Sequence, residues 1–147
     1  MKQAVRLAVA VLCVSFVAVT AATAQVPVKE GNVERVVLLH VSAGRSDAFW
    51  ADMKKNVVPI WDAEKAAGMI VDYEWFQNYT TSSPDDWNVG YSIVYKNLAA
   101  LDGLADKVYD LRMKHYGDQS AEQKVIDKRV DNAHVINSIL LRQVTIR

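Results

Sequence analysis

Cysteine is almost missing from this chain, and the position of its single copy takes it out of the folded domain. Cys13 lies in the apolar run LAVAVLCVSFVAV, preceded by Lys2 and Arg6 and followed by TAATAQ. A charged start, an apolar middle and small residues at Ala22 and Ala24 form the pattern of an export signal cut after Ala24. The run is short for a membrane span, which needs about 20 apolar residues, and no second such run follows. Leu12, rather than a small residue, precedes Cys13, which argues against a lipid anchor. The expected product is a periplasmic or secreted domain, residues 25–147, with no disulfide, no thiol chemistry and no membrane attachment once the signal is gone.

Other absences narrow the chemistry. The six glycines are scattered singly, so no loop cradles a phosphate. The three histidines, His40, His115 and His134, lack the short spacing of a zinc site, and the reading assigns neither metal nor cofactor. No G-x-S-x-G nucleophile motif occurs. Neither sign of charge dominates: 17 basic residues face 17 acidic ones, and losing Lys2 and Arg6 leaves 15 against 17, a net charge of −2. With no basic stripe, nucleic acid is excluded as a partner.

What remains is rich in periodic apolar segments. VERVVLLHVS, residues 33–42, reads as a strand buried on both faces. From Ser46 the period becomes helical through Phe49, Met53, Val57 and Ile60, with Trp50 and Trp61 beside the stripe, and Gly68 ends it. Pro59 inside this span predicts a kink or two consecutive short helices. Residues 69–79 and 88–96 read as two strands joined by the turn-forming TSSPDD. LAALDGLADKVYDLRMKHYG follows as an amphipathic helix with Leu101, Leu104, Val108, Leu111 and His115 on one face. That face predicts His115 in the core. Ser120 and Gln123 stand at capping-box spacing for an extra, largely exposed helix that would hold His134 near its end, and SILLRQVTIR reads as the last strand.

A β-α-β-β-α-(α)-β order points to an α+β, ferredoxin-like antiparallel sheet with helices on one face. VLLHVSAGRSDAF and VGYSIVYKNLAALDGL resemble the two halves of the dimeric α/β-barrel superfamily. That resemblance implies a homodimer in which two sheets face each other. It also implies activities ranging from cofactor-free monooxygenases and isomerases to proteins with no known activity.

Strand alternation divides the aromatic segment 68–95 into two faces. Tyr73, Trp75, Tyr91 and Tyr95 fall together, a layer suited to packing under helices. Asp72, Glu74 and Ser92 fall on the other, where buried carboxylates require water, a ligand or a cationic partner. His40 and Glu74 are the candidate proton-exchange pair, with Asp72, Ser92 and Arg142 as candidate substrate-binding neighbours. Trp87, in the loop, reads as a pocket lid or as a loop anchor. Two functions stand open: a small-molecule site between sheet and helices, with or without cofactor-free chemistry, and a non-catalytic dimeric binding or interaction module.

Overall fold

The computed structural model describes residues 27–146, so the expected signal, its cleavage site and Cys13 lie outside the described residues. Four strands form one antiparallel sheet: β1 (Val28–Val41), β2 (Asp72–Gln77), β3 (Val89–Tyr95) and β4 (Ala133–Ile146). Their order across the sheet is β2-β3-β1-β4. The helices are α1 (Ser46–Asp52), α2 (Val58–Ala66), α3 (Leu104–Tyr116) and α4 (Gln119–Val130). This is the expected α+β, ferredoxin-like arrangement with one additional helix.

Register fixes the faces. Val33, Val37, Leu39 and Val41 of β1 are buried, and their partners Tyr95, Tyr91 and Val89 on β3 and Tyr73 and Trp75 on β2 share that side. Phe49 and Met53 pack against Val37, Leu39 and Val41. Phe49 is only 1% exposed, and burying such a ring contributes about 1.5–3 kcal/mol. The opposite, open face carries Glu34, Val36, Leu38 and His40 of β1, Glu74 and Phe76 of β2, Ser92 of β3, and His134, Ile139 and Leu141 of β4.

Several boundaries differ from the sequence pattern. β1 begins at Val28 rather than Val33, and β4 at Ala133 rather than Ser138, because the two strands pair from Val28 with Ile146 to Val41 with Ala133. Ladder hydrogen bonds hold VKEGN and AHVIN extended although neither alternates cleanly. His134 therefore sits on a strand, not in a helix. The extra helix is capped by Asp118, whose Oδ1 accepts from the Ala121 amide at 2.8 Å, and not by Ser120. Such a cap contributes about 1 kcal/mol.

Pro59 acts as its chemistry requires. It has no N–H to offer the carbonyl four residues earlier, and the chain answers with a π turn over Met53–Val57, which separates α1 from α2. His115 is exposed, contrary to its expected core position. Tyr116 turns inward in its place, donating its hydroxyl to the Asn56 carbonyl of the π turn at 3.0 Å.

Candidate functional site

A cavity of about 520 Å³ lies between the helices and the aromatic face of the sheet. Its apolar wall is built by Leu39, Phe49, Met53 and Ile60, and by the rings of Trp61, Trp75 and Tyr91. Trp61 stacks on Trp75 with centroids 5.1 Å apart and planes 25° apart, and Tyr91 tilts against both at 4.9 and 5.1 Å. These rings converge because strand alternation points Trp75 and Tyr91 to the same side, while the helical period of α2 lowers Trp61 onto them.

The far wall is polar. Arg112 of α3 pairs with Glu122 of α4, and Arg129 of α4 pairs with Asp52 of α1 at 2.6 Å. Burial works against the charge of Arg129, but Asp52 and Tyr116 more than offset it and raise the guanidinium pKa. Hydrogen bonding to Glu122 raises that of Arg112. Both arginines remain cations while their carboxylates occupy them, so the wall is charged but internally neutralised.

Two polar groups of the residues lining the cavity stand outside these pairs. Glu64 of α2 is 5% exposed, and among the described residues no cation pairs with it. Desolvation raises its carboxyl pKa above the ordinary glutamate range. Glu64 also lines a smaller adjoining cavity of about 330 Å³ that contains Arg35 and Tyr95. The second group is the indole N–H of Trp75, which is buried without a hydrogen-bond partner among the described residues. An unmade hydrogen bond of that kind costs about 1–3 kcal/mol.

The residues singled out by sequence lie elsewhere. His40 and Glu74 share the open face, away from the helices. Glu74 lies level with Ser92 and Val36 across the sheet, so His40 is displaced by four residues of strand, about 13 Å, and by two strand spacings, about 10 Å. Arg142 pairs with Val33, which places it on the other side of the sheet, and it forms an ion pair with Glu30. The three residues do not form one cluster. Asp72 is exposed and held by Lys65 at 2.7 Å, which lowers its carboxyl pKa mainly through that hydrogen bond. Ser92 is buried on the open face, between Glu74 and Val36. Trp87 packs edge-on against Phe76 at 5.9 Å and serves as a loop anchor on the open side, not as a lid over the cavity.

The residues that sequence reasoning missed as site members, Glu64, Arg112, Glu122 and Arg129, carry one weak signal. Each is a charged residue close to the apolar stripe of its helix, a position that usually reads as a solvated flank.

No protein-family profile and no curated sequence matches the chain. In overall arrangement it is similar to solved ferredoxin-like proteins. One is a dimeric ferredoxin-like protein from an uncultured marine organism, 13% identical, with a TM-score of 0.48 over 81% of this chain and 98% of that one. HapK from Hahella chejuensis is 15% identical, with a TM-score of 0.46 over 76% and 91% of the two chains. A Dabb family protein with a ferredoxin-like fold from Mesorhizobium loti is 15% identical, with a TM-score of 0.43 over 80% and 99%. At such identities no ligand or activity carries over, and the fold assignment rests on the strand order of this chain.

Proposed function

We propose that this protein binds a small, flat organic molecule in the cavity between its helices and its sheet. The observation that carries the reading is the wall of stacked aromatic rings, Trp61, Trp75 and Tyr91, around a cavity of about 520 Å³. The volume suits a small ligand, and apolar walls with a few convergent polar groups are the usual form of such sites. Aromatic faces favour a conjugated ring.

A second, catalytic reading rests on Glu64. A buried carboxyl with a raised pKa, in the wall of the same cavity, suits cofactor-free proton transfer to or from the bound molecule. In the non-catalytic alternative Glu64 only donates a hydrogen bond in its neutral form.

Homodimerisation and export belong to the same proposal. Edge strand β4 leaves Val135, Ile136, Ile139, Leu140, Leu141, Val144 and Ile146 between 39% and 83% exposed. A long apolar edge beside an open sheet face favours a second copy of the chain as its cover. Sedimentation velocity of the purified domain should give a dimer, and Leu141→Asp should shift it to monomer. A wild-type monomer would contradict this part. Export should appear as N-terminal processing after Ala24 by intact-mass measurement of the expressed protein.

Ligand binding is tested with anilinonaphthalene sulfonate as probe, alongside native mass spectrometry for any retained molecule. Saturable binding, one probe per chain with quenching of tryptophan emission, is expected, and Ile126→Trp should abolish it by filling the cavity. Undiminished binding in a folded Ile126→Trp protein would place the probe elsewhere and remove the support for this reading.

A further inference from the structure

We propose that His40 and His134 form a two-imidazole site for a divalent transition-metal ion on the open face of the sheet, at the β1–β4 edge where His134 also borders the cavity. The residues are direct cross-strand partners of β1 and β4, with ring centroids 5.2 Å apart. Zinc sits about 2.0–2.1 Å from an imidazole nitrogen, and that nitrogen about 1.1 Å from its ring centre, so two rings at a tetrahedral angle on one ion have centroids about 5.1 Å apart. The observed spacing matches this value.

The hydrogen bonding of His40 also suits a ligand. Its Nδ1 lies 2.8 Å from the Asp86 main-chain oxygen. A carbonyl oxygen only accepts, so Nδ1 carries the proton and the Nε2 lone pair is left for a metal. Histidines that bind metals usually donate their other N–H to a carbonyl or carboxylate in this manner. The acceptor is well held: the Asp86 carboxylate takes amide protons from Ser82 at 2.9 Å and Trp87 at 2.8 Å, which stiffens the loop behind the ring. In the single chain His134 is exposed and His40 partly exposed, so an ion has access from the open face, which in the proposed dimer a second copy would cover.

Among the described residues no third histidine, cysteine, aspartate or glutamate completes a larger ligand group. Water therefore fills the remaining positions, and the ions favoured are those that suit imidazole nitrogen, namely Zn²⁺, Cu²⁺ and Ni²⁺. A separation of 94 residues in sequence (134 − 40) hides this pair, since only the β1–β4 register unites it.

The test is isothermal titration of the full protein with Zn²⁺ alone, together with electron paramagnetic resonance of the Cu²⁺-loaded protein. One Zn²⁺ per chain and coupling of Cu²⁺ to two imidazole nitrogens are expected. His40→Ala and His134→Ala should each weaken Zn²⁺ binding at least about tenfold, with His115→Ala unchanged. Thermal unfolding of each variant without metal separates loss of the site from loss of the fold. Zn²⁺ binding that survives in a folded His40→Ala/His134→Ala protein, a Cu²⁺ spectrum with one nitrogen, or no stoichiometric binding by the wild type would each overturn the proposal.

Discussion

Arg129 on α4 reaches across the helix layer to Asp52 on α1, closing a 2.6 Å ion pair between residues far apart in the chain. Their side chains are 29% and 14% exposed, so the pair is partly shielded from water without being fully desolvated. Together with Arg112 and Glu122 it fastens the additional helix over the cavity.

Removing one partner strands the other. Asp52→Asn should lower unfolding stability by about 1–3 kcal/mol, below the range for a fully buried pair because solvent still screens this one. Asp52→Asn combined with Arg129→Met should recover part of the loss. Urea midpoints of the single and double variants measure the coupling.

Glu64 should make the protein less stable as pH rises. Its folded pKa is raised by desolvation, so the native state holds the proton more tightly than the unfolded chain does. The stabilisation is complete below the ordinary glutamate range and is lost as pH climbs through the raised folded value. Glu64→Gln should flatten that decline and raise the melting temperature at neutral pH. Thermal melts across the acid to neutral range check the slope.

Tyr73 gives an alkaline counterpart. Desolvation, and then its 2.7 Å hydrogen bond to Asp62, push its phenol up to about 12. The contribution of this neutral phenol is fully present below the unfolded value near 10 and disappears as pH rises through about 12. Ultraviolet titration should show late tyrosinate ionisation, to which Tyr91 and Tyr95 also contribute because burial raises them, and Tyr73→Phe should remove one of those late steps.

Gly90 has no room for a side chain while the Phe76 ring keeps its place. A Cβ there would meet Cε2 of Phe76 at 2.2 Å, because the Phe76 ring lies across the open face of β3 at this point. Gly90→Ala should cost about 1–3 kcal/mol, and Phe76→Ala in the same chain should relieve the clash. Denaturation midpoints of both proteins read the difference.

Much of this architecture is written in local patterns. Alternation in β2 and β3 separates Tyr73, Trp75 and Tyr91 from Asp72, Glu74 and Ser92, and those two faces appear as expected. Pro59 marks the break between α1 and α2 because a missing N–H is a local defect. His115 is less legible: neighbouring residues of a helix point about 100° apart, and the Asn56 carbonyl takes the hydroxyl of Tyr116 on the inward side instead. The split of His40 and Glu74 from Arg142 could not be read either. A strand's pattern says which residues share a side, whereas pairing register says which side faces the helices.

The sequence by itself determined the element order, the α+β class and the grouping of side chains within each strand and helix, because these follow from periodicities of two and 3.6 residues. Only the tertiary structure decided which groups meet. It carried Glu64, Trp75, Arg112, Glu122 and Arg129 into one cavity and set His40 beside His134. Such meetings depend on strand register and helix packing, which are fixed by contacts between segments distant in the chain and leave no local periodic trace.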